Sequence, residues 1–230
     1  KWELHEKNYG YALTLALKGK AYPTALRIIS EGGLSVLYKH SPQELRQILR
    51  NATPVERARN FNACALILLA INLIASQQDA REERDILMIN LPADWEPSSE
   101  ENARFLFLEA LDSLPDSGMV EADLRKLLSF CKENEVKLPR DYFQGIFRGV
   151  VGQLGFYYRR SGTLLENVHT LQSIYDICGL IIKDCDGRLW HSSAKAELNY
   201  MQGNIDTADE ILLHFLKSPW NTIDRQQRAI

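Results

Sequence analysis

The chain has 230 residues, 45% of them apolar and 25% charged, with 27 Lys and Arg against 30 Asp and Glu. That composition excludes a disordered or fibrous protein, and a net charge of −3 offers no overall basic field to nucleic acid. The four cysteines (Cys64, Cys131, Cys178, Cys185) are too sparse for a disulfide scaffold, stand in no zinc-finger spacing, and fit a reducing, cytoplasmic compartment.

The opening Lys1-Trp2-Glu3-Leu4 has no initiator Met, apolar signal core or transit-peptide character, and reads as a piece of a longer protein. Apolar residues at three- and four-residue spacing follow, among them Leu26, Ile29, Gly33, Leu34 and Leu37. Ser41-Pro42-Gln43-Glu44 is a capping box with Pro at the first helical position, where its missing N–H costs nothing. Thr53-Pro54-Val55-Glu56 repeats the device and predicts a long apolar helix over 54–75. Its most apolar part, Phe61 to Ala75, includes Asn62 and Asn72 and falls short of the roughly twenty residues of a membrane span. A buried core helix is expected there, and no membrane contact.

Ser98-Ser99-Glu100-Glu101 opens a further helix. Gly- and Pro-rich punctuation falls at 30–33, 92–98, 115–118, 138–139, 161–162, 186–187 and 203–204, with a possible sub-boundary near 92–98. Strand signals are nearly absent. The pattern predicts an all-α fold over 1–230, a single helical-repeat domain of about ten to twelve helices.

Helices in sequential pairs suggest antiparallel hairpins stacked as a tetratricopeptide-like right-handed superhelix. Leu198 to Ala208, followed by Leu212, Phe215 and Pro219, matches the second half of a tetratricopeptide repeat: Gly203 precedes the small Ala208 by five positions. Leu17 to Leu26 echoes it, with one residue more between Gly19 and Ala25. A small residue there lets the paired helix approach closely.

Charge is distributed in blocks. Residues 1–76 carry ten basic and five acidic groups, 77–139 seven and fifteen, and 140–230 ten of each. A basic N-terminal part beside an acidic middle offers complementary surfaces for self-association or a flanking domain, or else solvated helix faces.

The patterns GxxxxGK[ST], HExxH and GxSxG are absent, so no nucleotide phosphates, protease zinc or elbow serine are expected in this chain. Cys178, Cys185 and His191 stand at spacings of seven and six, which match no metal template. The sequence predicts no catalytic residue, no metal and no enzyme activity.

The most informative segment is Asp141 to Arg160. As a helix it places Phe143, Ile146, Phe147, Val150, Val151, Leu154, Tyr157 and Tyr158 on one apolar stripe. Gly145, Gly149 and Gly152 gather opposite, with Tyr142 and Phe156 beside them and Arg159 and Arg160 at the end. Each interior glycine opposes a helix by about 1 kcal/mol. The glycine face is either a site of close backbone packing or a groove for an anionic, sugar-like or peptide ligand, and these seven residues are the candidate binding site.

Residues 9–33 carry a resemblance. Ala12 and Ala16-Leu17 on a first helix, Gly19 at the turn, Tyr22, Ala25 and Ile28-Ile29 on a second, and Gly32 at the close resemble the helical segment after the ATPase module in large LuxR-type regulators of the MalT group. The segment from Leu34 to Leu49, the apolar stretch 54–75 and the repeat-like close at 198–219 continue the order; Ile48 to Pro54 only approximates the W-x-x-x-x-L-P element those proteins carry. The resemblance implies the effector-sensing and self-association part of a signal-dependent transcription regulator, with a small-molecule inducer or regulatory protein as partner. ATP and DNA contact would belong to flanking domains, and no ligand residue can be carried over. The competing expectation is a tetratricopeptide-like interaction scaffold unrelated to transcription.

Overall fold

A computed structural model describes residues 8–114, 116–144, 158, 162–182 and 192–217. Among them the chain is helical: α1 (Tyr9–Lys18), α2 (Tyr22–Gly32), a 3-10 turn (Leu34–Val36), α3 (Pro42–Asn51), α4 (Pro54–Arg59), α5 (Phe61–Ile74), α6 (Gln77–Ile89), α7 (Ser99–Asp112), α8 (Ser117–Glu133), a single turn (Asp141–Gln144), α9 (Val168–Ile181), α10 (Ser192–Met201) and α11 (Ile205–Lys217). No strand occurs among the described residues; one isolated bridge pairs Leu138 with Ile182. The all-α expectation holds. No described helix is long and apolar enough to cross a membrane.

The chain divides into two compact units, Lys1–Asp112 and Ser113–Ile230. In the first, α5 is the hub. Its residues from Ala63 to Ile71 are all buried, and α2, α3, α4, α6, α7 and the 3-10 turn pack around it. A helix apolar on every side is stable in water only when enclosed on every side. The predicted helix over 54–75 is interrupted at Asn60, whose backbone (φ −120°, ψ 37°) leaves helical geometry. The Asn60 side chain donates to the Glu56 carbonyl at 2.8 Å, ending α4 after six residues. The break lets α4 carry a different load. Its Arg57, buried, donates to the carbonyls of Leu49 and Asn90, both at 3.3 Å, and so caps the C-terminal ends of α3 and α6 together.

Both predicted capping boxes with proline form, at Ser41/Glu44 and Thr53/Glu56. The apolar spacing that ran from Leu26 to Leu37 spans more than one helix: α2 ends at Gly32, Gly33 turns the chain at φ 72°, and Leu34 and Leu37 reach the core from the 3-10 turn. The stretch 92–98 lies inside the first unit as the loop between α6 and α7, held by Trp95, whose ring tilts on Phe61 at 4.9 Å between centroids.

The blocks of charge meet inside this unit. Arg46 of α3 pairs with Asp79 of α6 at 2.5 Å and with Glu83 at 3.4 Å, and Arg50 pairs with the same Glu83, which is 3% exposed. Arg84 and Asp112 link α6 to α7. The basic N-terminal helices therefore spend part of their complementarity on their own acidic neighbours.

In the second unit α8 packs on α9, α9 on α10, and α10 on α11. Ser173 of α9 donates to Glu121 of α8 at 2.7 Å, and with Arg125 this bond holds the Glu121 carboxyl below its ordinary value.

Three helices end alike. After α1, α8 and α10 the residues Lys20, Glu135 and Gly203 take left-handed backbone (φ 52°, 54° and 82°). The next amide reaches five residues back, Ala21 to Ala16 at 2.8 Å, Val136 to Cys131 at 2.9 Å and Asn204 to Asn199 at 2.9 Å. These are Schellman ends, in which the left-handed position favours glycine. Only α10 supplies it. Lys20→Gly and Glu135→Gly should each raise the unfolding free energy by about 1 kcal/mol, and Gly203→Ala should lower it by about as much, read from urea midpoints.

The Ser41 amide donates to the Glu44 carboxylate at 2.8 Å, and this bond to the backbone, with the Ser41 hydroxyl, lowers the Glu44 pKa from 4.5. A lowered acid stabilises the folded state above its unfolded value, and that contribution vanishes as pH falls through the folded one. Glu44→Gln should lower the Tm at pH 7 and leave it unchanged near pH 2, where the native carboxyl is itself protonated.

Candidate functional site

Of the seven residues singled out in 141–160, the structure describes Tyr142, in the single turn Asp141–Gln144. Its ring is 1% exposed. Gly145, Gly149, Gly152, Phe156, Arg159 and Arg160 lie outside the described residues. Where the segment begins, both of its expected faces are covered: Tyr142 from the glycine side and Phe143 from the apolar stripe are both buried. Tyr158 of the same stripe is buried too, its hydroxyl donating to the Leu114 carbonyl at 2.8 Å. Tyr142, Phe143 and Tyr158 are thus enclosed by protein.

The thiols are equally enclosed. Burial pushes Cys64 up to about 12 and Cys131 up to about 11, and raises Cys178 well above 9. Cys64 lies near Arg57, whose charge pulls the other way and is outweighed. A nucleophilic cysteine acts as thiolate, and burial keeps these three as thiols near neutral pH. Cys185 and His191, the other members of the cysteine–histidine cluster, lie outside the described residues. No group of three His, Cys, Asp or Glu side chains able to hold a metal occurs among the described residues.

What the fold does offer is apolar surface at two helical hairpins. Helices α1 and α2 pack on each other, with Ala12, Leu13 and Ala16 buried on the first and Ala25, Leu26 and Ile29 on the second. The hairpin closes at Gly32: a Cβ there would meet the Tyr9 Cβ and a Val36 methyl, each at 2.8 Å, so the end of α2 lies on the start of α1 with no room for a side chain. The outer face of α1 leaves Tyr11 and Leu15 exposed, one helical turn apart.

In α10–α11 the buried Ala208 seats α11 on α10. The expected five-residue interval runs from left-handed Gly203 to Ala208. In the first hairpin the same interval runs from left-handed Lys20, not Gly19, to Ala25, so the extra residue noted between Gly19 and Ala25 disappears when the turns are aligned by conformation. On α11, Ile205, Leu212, Leu213 and Leu216 remain 54%, 38%, 53% and 56% exposed, and Tyr200 of α10 is exposed beside the turn. The sequence matches Leu212 to the second half of a repeat, and the structure adds that it lies in this exposed stripe. Its signal is that the apolar arc of α11 is wider than one neighbouring helix can cover.

Hairpins that bury small residues inward and present leucine, isoleucine and tyrosine outward offer the kind of apolar surface that marks docking sites. Compared with protein-family models, with curated proteins and with solved structures, the chain matches none of them. In the native protein, iodoacetamide at pH 8 should leave Cys64, Cys131 and Cys178 unmodified, and denaturation should expose all three, as peptide mass spectrometry would show.

Proposed function

We propose that this chain is a binding segment without catalytic role: the effector-sensing and self-association part of a signal-dependent, LuxR-type transcription regulator. A small-molecule inducer or a regulatory protein is its partner, the cytoplasm its compartment, and ATP belongs to a flanking module. The observation that carries the reading is the hairpin α1–α2. The alanines quoted for the resemblance are buried in it, and Gly32 stands where a Cβ has no room. The match thus falls on positions that determine the hairpin's shape.

The finer architecture, hairpins stacked as a tetratricopeptide-like right-handed superhelix, is part of this proposal. Two observations support it. The turns at Lys20 and Gly203 share one backbone conformation and one interval to a buried alanine. The helices packed on α5 all stand within three positions of it along the chain, the near-neighbour packing of a solenoid.

The uncovered apolar residues on α1 and α11 favour a second reading, an interaction scaffold unrelated to transcription. Thermal melts separate the two. A ligand at a hundredfold excess over its Kd stabilises by about 2.7 kcal/mol. For a chain of this size that raises the Tm by roughly 5–10 °C. A screen of sugars, nucleotides and other small metabolites should find one that does so. If only amphipathic helical peptides raise the Tm, the scaffold reading replaces the sensor.

A further inference from the structure

We propose that residues 53–60 form a strap that opens locally from the first unit while α3, α5 and α6 stay folded. Of the side chains of α4 only that of Arg57 is buried, and Val55, its largest apolar one, is exposed. The neighbouring helices are anchored by apolar groups instead: Leu45, Ile48 and Leu49 in α3, and nearly the whole circumference of α5. Burial of apolar area is the dominant favourable term in folding, so a helix with no fully buried apolar side chain is the first to leave.

The hydrogen bonds lead to the same segment. The Thr53 amide donates to the Glu56 carboxylate, and the Asn60 side chain donates to the Glu56 carbonyl, both at 2.8 Å. Both ends of α4 are therefore capped from within 53–60. Beyond that range its hydrogen bonds, among the described residues, run through Arg57. The guanidinium reaches the carbonyls of Leu49 and Asn90 at 3.3 Å each, longer than an ordinary N–H to oxygen bond. Its Nε is buried without a partner.

Arg46, Arg50, Arg84 and Arg104 each meet a carboxylate, whereas Arg57 is paired with none among the described residues. A buried cation balanced only by the carbonyls of two helix ends loses to desolvation much of what its hydrogen bonds contribute. The tie is weak, and what it holds is a helix of six residues, too short to persist by itself once detached. Non-helical backbone flanks it on both sides, extended at Ala52 (φ −70°, ψ 143°) and turned at Asn60, which act as the hinges.

Opening has two effects. The Leu49 and Asn90 carbonyls lose their shared donor, which uncouples the C-terminal ends of α3 and α6. The Cys64 thiol, fully buried on α5, donates to the Arg57 carbonyl at 3.8 Å, so the backbone of the strap lies against the sulfur and its departure uncovers it. Cys64 is thus a built-in reporter of the strap.

The test is native-state exchange on the full chain, in urea below the unfolding transition. Mass spectrometry follows the amides of residues 57–60 and of α5. Iodoacetamide follows Cys64, at exposures well beyond the one that leaves all three described thiols intact. Alkylation of Cys64 and exchange at 57–60 should share one opening constant, at least about tenfold larger than that of the α5 amides. Both should rise less steeply with urea than α5 exchange, because local opening exposes less surface. Ala58→Gly, which weakens α4 alone, should speed both about fivefold and leave exchange at α5 unchanged.

Cys64 alkylation that follows the α5 amides in rate and urea slope overturns the proposal, because the thiol is then reached only when the whole unit unfolds. An Ala58→Gly chain in which α5 exchanges faster by the same factor overturns it too. So does one that no longer folds, since α4 would then belong to the cooperative core of the unit. The wild-type urea slopes decide the matter without any substitution.

Discussion

Enclosure of α5 is the constraint from which the first unit takes its form. Phe61–Ile74 presents apolar side chains around its whole circumference, and no single neighbour can cover such a surface. Helices α2, α3, α6 and α7 each cover part of it, and their own amphipathic faces are read from their position around it. Burying a leucine or isoleucine side chain contributes about 1.5–3 kcal/mol, so the central helix outweighs any ion pair at the periphery. The ion pairs decide something else. Arg46 and Arg50 meeting Asp79 and Glu83 determine where α3 lies along α6, and Arg57 joins the ends of those two helices through their carbonyls.

The same division of labour governs the ends of the helices. The Schellman turns after α1, α8 and α10 are one backbone solution to one problem, how to satisfy the last carbonyls and turn the chain sharply. Lys20 and Glu135 accept a strained conformation to provide it, whereas Gly203 provides it without strain. That the first and last described hairpins share the turn and the following alanine links local backbone chemistry to the spacing of the helices. This spacing in turn leaves their outer faces to present Tyr11 and Leu15 at one hairpin and the α11 stripe at the other.

Among the described residues the fold leaves apolar side chains uncovered on α1 and α11. The described thiols are buried and protonated, and Tyr142 is sealed into the second unit.

Much of the architecture was legible in the chain. Ser41-Pro42 and Thr53-Pro54 start helices because a hydroxyl and a carboxylate three residues on satisfy the orphan amides wherever the helix lies. The composition of 61–75 demanded burial, since its side chains have no favourable contact with water. These are properties of a few neighbouring residues, so the sequence by itself determined them. The break at Asn60, the left-handed role of Lys20 rather than Gly19, and the inclusion of 92–98 in the first unit through Trp95 on Phe61 were decided only by tertiary structure. So was the use of the charge blocks: opposite charges in sequence do not reveal whether they meet within one molecule, and packing around α5 brought α3 and α6 together. The exposed stripe on α11 belongs with these, because a leucine in an amphipathic helix becomes core or surface according to whether another helix arrives to cover it.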